Sequence, residues 1–409
     1  MERVLEGVKV IELSQYAAAP AAGRLLAEMG ADVVKVEPLS GDSMRYVGPS
    51  FGLPGRQDEN VAFQMVNAGK KSIALDLKSP EGQEIMDKLL AGADIFFTNV
   101  RMKALQSLGL SWEALHERHP RLIFGHVSGY GLKGDDAGLP GYDATAFWAR
   151  GGALIDLPYE GSAPLTTPYC FGDLATGMTL VAGMASALRK QLLTGEGDCV
   201  LVSLFGTAIY LGGYMIASTQ KGKEAQGYRD KFPKVRTDPP TPLTTTYLCR
   251  DGKGLMLFVP IYDKAWPVVC RLLQREDLVD DVRYSTQRAA MAPEHKAALV
   301  TLISEIMLTR DAQDWADAFA AANIATGVAQ HFSDVSEDPM AWENGYLSSY
   351  TYPNGNSSVI INSPIQFKEN TPVACAPAPG LGASGEELLA QLGYAPEQIA
   401  ALRERKVTL

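Results

Sequence analysis

The chain has 409 residues, enough for two or three domains at ~100–200 residues each. Hydrophobic residues make up 46% and charged residues 21%, an ordinary balance for a globular enzyme with a large core. Acidic residues outnumber basic ones, 47 to 37, and the net charge of −10 leaves no basic footprint for nucleic acid, so any anionic ligand must be held by local groups.

The amino terminus, MERVLEGVKVIEL, runs straight into a strand-like segment with no basic n-region, apolar h-region or cleavage site. Residues 8–13 read as a strand, 20–29 as a helix closed by Gly30, and 32–36 as a second strand. A third strand over 72–77 leads into a helix over about 79–90, with Ser79 as N-cap and Pro80 at the first helical position. Residues 94–97 and 122–127 give two more strands. This alternation implies an α/β, Rossmann-like large domain with a parallel sheet covered on both faces.

Residues 131–170, rich in Gly, Pro and aromatics, read as long functional loops. A small-residue helix is expected over 174–190, a strand over 200–204 and a helix over 206–220. Residues 228–242 look like a linker. A hairpin with Asp251-Gly252 at its turn, and two or three helices through about 322, form a smaller α+β domain. Helices over 388–392 and 396–405 are expected to pack back onto the first domain. The expected domains are therefore 1–225, 226–335, and a return over 336–409.

No apolar run of ~18 residues or more is visible, so no membrane span is expected. The five cysteines, Cys170, Cys199, Cys249, Cys270 and Cys375, are scattered and never spaced C-x-x-C, which fits a reducing cytoplasm without disulfides or a zinc knuckle. His116 and His119 lie three apart with no further ligand nearby, so no metal site is expected.

Four segments carry candidate chemistry. In Phe171-Gly172-Asp173-Leu174-Ala175-Thr176-Gly177, an Asp opens a helix. It has a plain reading as a cap and a chemical one as a carboxylate nucleophile, kept ionised by the helix terminus and flanked by amides able to hold an oxyanion. In Glu12 to Gly23, a strand gives way to small residues and Pro20, a place for close ligand approach or for tight packing. Glu37 could imitate the ribose-binding acid of a dinucleotide site, but the G-x-G-x-x-G glycines are absent. Lys70-Lys71 could meet phosphates or be solvated. Ser128-Gly129-Tyr130-Gly131 and Pro140-Gly141-Tyr142-Asp143 are binding loops or plain turns at strand ends. Tyr142, Phe147, Trp148 and Phe63 are candidates for an apolar acyl pocket or for core. No G-x-S-x-G elbow and no Walker A loop is present.

With these residues in hand, the chain resembles the class III, formyl-CoA transferase-like, CoA transferases over essentially its full length. The resemblance rests on VKVIELSQYAAAPAAGRLLAEMGADVVKVE, NAGKKSIALDLKSPEG, TNVRMKAL, SGYG, PGYDATAFWARGG, GDLATG and LGASGEELLAQLGY. The YAAAPAAGR and AFWARGG wording is similar to the branch acting on 2-hydroxyacyl and enoyl pairs in amino-acid-fermenting anaerobes, the phenyllactate and 2-hydroxyisocaproate CoA transferases.

The resemblance implies acyl-CoA and free carboxylic acid as substrates, coenzyme A as a substrate moiety rather than a tightly bound cofactor, and a homodimer of interlocked rings. It places Asp173 on the family's nucleophilic aspartate, Tyr16, Ala17 and Ala18 on the CoA-lining loop, and Asn99 and Tyr130 near CoA. Pro38, Ser107 and Ser128 stand where other members carry basic residues, and residues 238–242 lie where those members have a glycine-rich loop. The phosphate contacts are thus left open among Lys70, Lys71, Arg101 and Lys103, with Lys71 and Arg101 taken as the candidates. Two other readings remain. An α-methylacyl-CoA racemase would place a histidine where Tyr142 stands, and tyrosine, with its pKa of ~10, is a poor base. A non-catalytic CoA-binding subunit would not need Asp173.

Overall fold

Six short apolar strands build the central sheet: β1 (Lys9–Leu13), β2 (Asp32–Glu37), β3 (Lys71–Ala74), β4 (Ile95–Thr98), β5 (Ile123–Ser128) and β6 (Cys199–Ser203). Every neighbouring pair is parallel, and the order across the sheet is β3-β2-β1-β4-β5-β6. This is the order of the Rossmann fold, whose chain direction reverses between β1 and β4. The computed structural model describes residues 3–56, 58–159, 161–220, 235–369 and 376–409.

The described chain forms two compact units. The first is Met1–Ala153, Thr166–Gly213 and Pro339–Leu409; the second is Leu154–Leu165 and Tyr214–Asp338. The expected boundary at 225–226, and residues 228–234 of the expected linker, lie outside the described residues.

In the first unit, successive side chains of each strand point to opposite faces. Ile11, Val34, Ile73, Phe96 and Phe124 face one way and are covered by α3 (Pro80–Ala91) and by the carboxy-terminal helices Gly385–Gln391 and Pro396–Glu404, through Ile85, Leu388, Leu389, Ile399 and Leu402. The return of the carboxy terminus is thus a hydrophobic closure of the sheet. The opposite face carries α1 (Ala18–Glu28) and the long helix Phe171–Thr194. A Cβ on Gly177 would stand 2.7 Å from the Ala18 carbonyl oxygen, so glycine lets the long helix lie directly on α1.

Three local expectations change. The helix expected over 174–190 starts earlier, at Phe171, and ends at Thr194 before Gly195 at φ +79°. The helix expected over 206–220 is two, Leu204–Leu211 and Gly213–Gln220, parted at Gly212. Within the expected loop lies a π-helical segment, Asp143–Ala149. By length and composition, Phe171–Thr194 is also apolar enough to cross a membrane, against the expectation of no such run. Its packing against α1, β5 and β6 buries part of that apolar surface.

The second unit is α+β. Thr244–Leu248, Gly254–Phe258 and Ala325–Val328 form an antiparallel sheet with Gly254–Phe258 at its centre, and Asp251-Gly252 lie in the hairpin turn. Helices Tyr262–Leu272, Pro293–Met307 and Ala312–Ala321 bring Trp266, Ile303 and Trp315 onto that sheet's Tyr247 and Leu255.

Leu389 is fully buried in the first unit's core. Leu389→Ala is expected to destabilise the protein by about 2–5 kcal/mol in urea unfolding. A loss below about 1 kcal/mol would show that the returning helix is not part of the core.

Candidate active site

Ligands of open parallel sheets bind beyond the carboxyl ends of the strands, where the strand order reverses. Here that point lies between β1 and β4, and the structure joins the two loops directly. The Asn99 side chain accepts from the Gln15 amide at 3.0 Å and donates to the Gln15 carbonyl at 2.7 Å. Tyr16 follows in the left-handed region at φ +64°, its amide donating to Asp42 Oδ1 at 3.0 Å. Ala17 and Ala18 are buried at the start of α1. Tyr16 keeps its ring partly exposed, edge to face with Tyr142 at 5.9 Å.

Tyr142 leads into the π-helical segment, and Asp143 brings a carboxylate to the start of the long helix, α6 (Phe171–Thr194). A Cβ on Gly172 would meet Asp143 Oδ1 at 2.3 Å and the Phe147 ring at 2.2 Å, so only glycine fits there. The buried Trp148 indole donates to Asp143 Oδ2 at 3.2 Å. The backbone amides of Gly172, Asp173 and Cys170 face the same carboxylate. Burial raises the Asp143 pKa, and these donors oppose the rise.

Asp173 sits in the first turn of α6 and does not cap it. The N-cap is Cys170, at φ +59°, and its side chain makes no cap hydrogen bond. The plain reading of Asp173 as a cap is therefore corrected. Burial first, and the Asp143 charge second, push the Asp173 carboxyl up to about 7; a hydrogen bond from the Cys170 thiol pulls the other way. The Cys170 thiol is itself pushed up to about 12, chiefly by burial. Cys170 and Leu174 pack against the cluster containing Ala17 and Ala21, which ties the α6 start to the β1–α1 loop.

The other candidates divide. Tyr130, under the Arg150 guanidinium at 5.0 Å, lies within 3.2 Å of the Cβ position of Gly141, next to Tyr142. Arg101, exposed, follows β4 two residues beyond Asn99. Lys71 belongs elsewhere: it opens β3 at the amino-terminal edge of the sheet, 3.0 Å from Asp32 at the start of β2. At ~3.3 Å per residue, that edge is roughly 15–20 Å from the site. Lys70 is fully buried, its ammonium on Glu12 (2.6 Å), the Pro20 carbonyl (2.8 Å) and Asn67 (2.9 Å), so it meets no phosphate. Glu37 is engaged by Arg45, Ser72 and the Asp42 amide and leaves no free acid for a ribose. Phe63 and Trp148 are buried, whereas Tyr142 is 56% exposed.

Sequence reasoning passed over Asp143 and Asp42. Asp143 was in view as part of Pro140-Gly141-Tyr142-Asp143 but carried no role, because its approach to Gly172 is a tertiary contact. Asp42 sits in Gly41-Asp42-Ser43, which reads as an ordinary turn.

The site thus holds two carboxylates at a helix start, bordered by tyrosines and by the clamped loop at the strand reversal. Comparison with known proteins gives that arrangement a family. The model of CoA-transferase family III matches residues 5–385. The chain is 39% identical over 404 residues to the (R)-2-hydroxy-4-methylpentanoate CoA-transferase of Clostridioides difficile, with 99% of each chain covered. It is 40% identical over 406 residues to the cinnamoyl-CoA:phenyllactate CoA-transferase of Clostridium sporogenes, covering 98% of this chain and 97% of the relative. The crystal structure of a CAIB/BAIF family protein from Brucella suis matches with a TM-score of 0.77 at 28% identity, over 96% of this chain and 100% of the other. A match to the family model over most of the chain, together with full-length relatives, places this protein in CoA-transferase family III.

Proposed function

We propose that this enzyme moves CoA from an acyl-CoA to a free 2-hydroxy acid through covalent intermediates on Asp173. The observation that carries the reading is the Asp173 carboxyl itself, set in the first turn of α6 beside Asp143 and reached from the β1–α1 loop through Tyr16 and Tyr142. The choice of 2-hydroxy acid follows the two relatives, whose names specify such acids.

The Asp173 carboxylate attacks the thioester carbonyl, the C–S bond breaks and CoA leaves as thiolate, giving an acyl–aspartyl anhydride. The thiolate then attacks the aspartyl carbonyl, and the donor acid leaves as carboxylate. The resulting aspartyl-CoA thioester is attacked by the acceptor carboxylate, and the steps run in reverse. The thioester is conserved throughout. A nucleophile of modest strength suffices because thiolate leaves readily and the reactants are held together. Raising its pKa towards 7 makes the carboxylate more basic and more nucleophilic while leaving a large ionised fraction near neutrality. The α6 amides expected to hold the oxyanion face Asp143 instead, so no oxyanion donor is assigned to them.

Tyr16, Ala17, Ala18, Asn99, Tyr130 and Arg101 are proposed to line the CoA path. A homodimer is also proposed. It is supported by apolar side chains left open along α6, the edge strand β6 and the helix Leu204–Leu211: Leu192 at 73%, Leu193, Leu201, Tyr210 at 86%, and Leu211. A patch of this kind marks an interaction surface.

Asp173→Asn is expected to lower kcat on the order of 10³-fold or more in a steady-state transfer assay. Turnover near the wild-type rate would remove Asp173 from the mechanism. The same substitution is expected to raise the melting temperature above pH 7. The folded protein raises the Asp173 pKa from 3.8 to about 7, so it disfavours the ionised form, and stability falls as pH rises between those values. A melting-temperature difference that does not grow with pH across this window would contradict the burial argument.

In the wild type, kcat/KM is expected to rise with pH through about 7 as Asp173 ionises; a flat profile from pH 5 to 8 would contradict it. Sedimentation should show a dimer that Tyr210→Asp weakens, and a monomer at micromolar concentration would exclude the interface.

A further inference from the structure

Tyr16 holds a left-handed backbone conformation that a side chain-bearing residue adopts only where its surroundings impose it. On one side, Asn99 grips both the amide and the carbonyl of Gln15. On the other, Asp42 Oδ1 accepts from the Tyr16 amide at 3.0 Å and from the Met44 amide at 2.9 Å. Asp42 is fixed in turn from below. Its own amide donates to Glu37 Oε2 at 3.0 Å, and its Oδ2 lies 2.9 Å from the Lys35 ammonium.

Lys35 has no exposed surface. Its ammonium donates to Glu12 Oε1 and to the Ser14 carbonyl, each at 2.9 Å, and forms an ion pair with Asp42 Oδ2 at 2.9 Å. Glu12, Asp42 and Glu37 together keep Lys35 charged despite its burial. A buried, ion-paired ammonium thus sits under the loop, joined to its backbone at Ser14 and, through Asp42, at Tyr16.

We propose that Asp42, backed by Lys35, is a positioning residue for acyl-CoA binding: it holds Tyr16 in its left-handed conformation so that the ring stands against Tyr142 at the mouth of the site. This rests on the reading that Tyr16 lines the CoA path. Asp42 touches no substrate; it acts through the Tyr16 backbone. A residue that holds only the CoA-binding loop affects the donor and leaves the acceptor acid and the chemical step alone.

The test is steady-state kinetics of the full-length enzyme carrying Asp42→Ala or Asp42→Asn, with an acyl-CoA donor and a 2-hydroxy acid acceptor, each varied at saturating concentrations of the other. Asp42→Ala is expected to raise the acyl-CoA KM on the order of tenfold. The acceptor KM and kcat should stay within about twofold. Asp42→Asn keeps an acceptor for the Tyr16 amide but weakens the tie to Lys35, so it should recover most of the affinity, with a KM about threefold above wild type. Circular dichroism melting establishes that each variant is folded. A folded Asp42→Ala enzyme with wild-type acyl-CoA KM overturns the proposal, as does an equal loss in kcat and in both KM values, which would signal general disruption. If Asp42→Ala does not fold, Asp42→Asn decides: the donor-specific rise supports the proposal and its absence overturns it. Failure of the reading beneath is separate, because it would appear as an unchanged acyl-CoA KM in Tyr16→Ala whatever Asp42 does.

Discussion

A row of buried charges on the α1 face of the sheet organises the first unit. Glu12 on β1 stands opposite Lys35 on β2, and Lys35 opposite Ser72 next in line. Lys70, Asp42, Glu37 and Arg45 complete the set. Removing such charges from water costs several kcal/mol each, so the pairs are a poor source of net stability. Their effect is geometric. Ions that must all be satisfied admit one arrangement, and losing one partner leaves an uncompensated buried charge. The carboxy-terminal return joins the same set: Arg45 donates to the Pro379 carbonyl at 3.1 Å, and the Gly382 amide donates to Ser72 Oγ at 3.0 Å. The ends of the chain and the loop at the strand reversal therefore share one scaffold.

The reacting end of the site is set by the opposite choice. Asp173 is half-buried with another carboxylate near, and its pKa rises through burial first and the Asp143 charge second. A hydrogen bond from the Cys170 thiol moderates that rise. The folded protein thus bears an unfavourable charge where chemistry is proposed, while a few residues away it pairs the buried charges of Glu12, Lys35, Asp42, Glu37 and Arg45. This is the usual division between a rigid scaffold and a destabilised site.

Much of this was legible in the sequence. The six strands of the central sheet lie where short apolar runs placed them, because strands buried on both faces need such runs; the two small two-stranded sheets, Gly55–Arg56 with Glu59–Asn60 and Leu347–Thr351 with Ser357–Ile361, were not anticipated. Ser79 and Pro80 open α3 as their chemistry requires, with Ser79 accepting from the Gly82 amide. What escaped was tertiary. Lys70 and Lys71 look alike as neighbours at a strand start, yet one points into the core and the other to the surface at the wrong end of the sheet. Asp42 and Asp143 lie in turn-like segments and gain their importance only from what folds against them. The early start of α6 was hidden because Cys170, in the left-handed region, is not a residue whose chemistry announces an N-cap.

Transfer by the proposed route requires that the Asp173 carboxyl become covalently attached to the acyl group and then to CoA. That attachment is tested most directly by intact-protein mass spectrometry after mixing the enzyme with a panel of acyl-CoAs, followed by hydroxylamine trapping and peptide mapping. A mass increase mapped to Asp173 and absent from Asp173→Asn is expected. No adduct with any donor under conditions of active turnover, or an adduct at another residue, would contradict it.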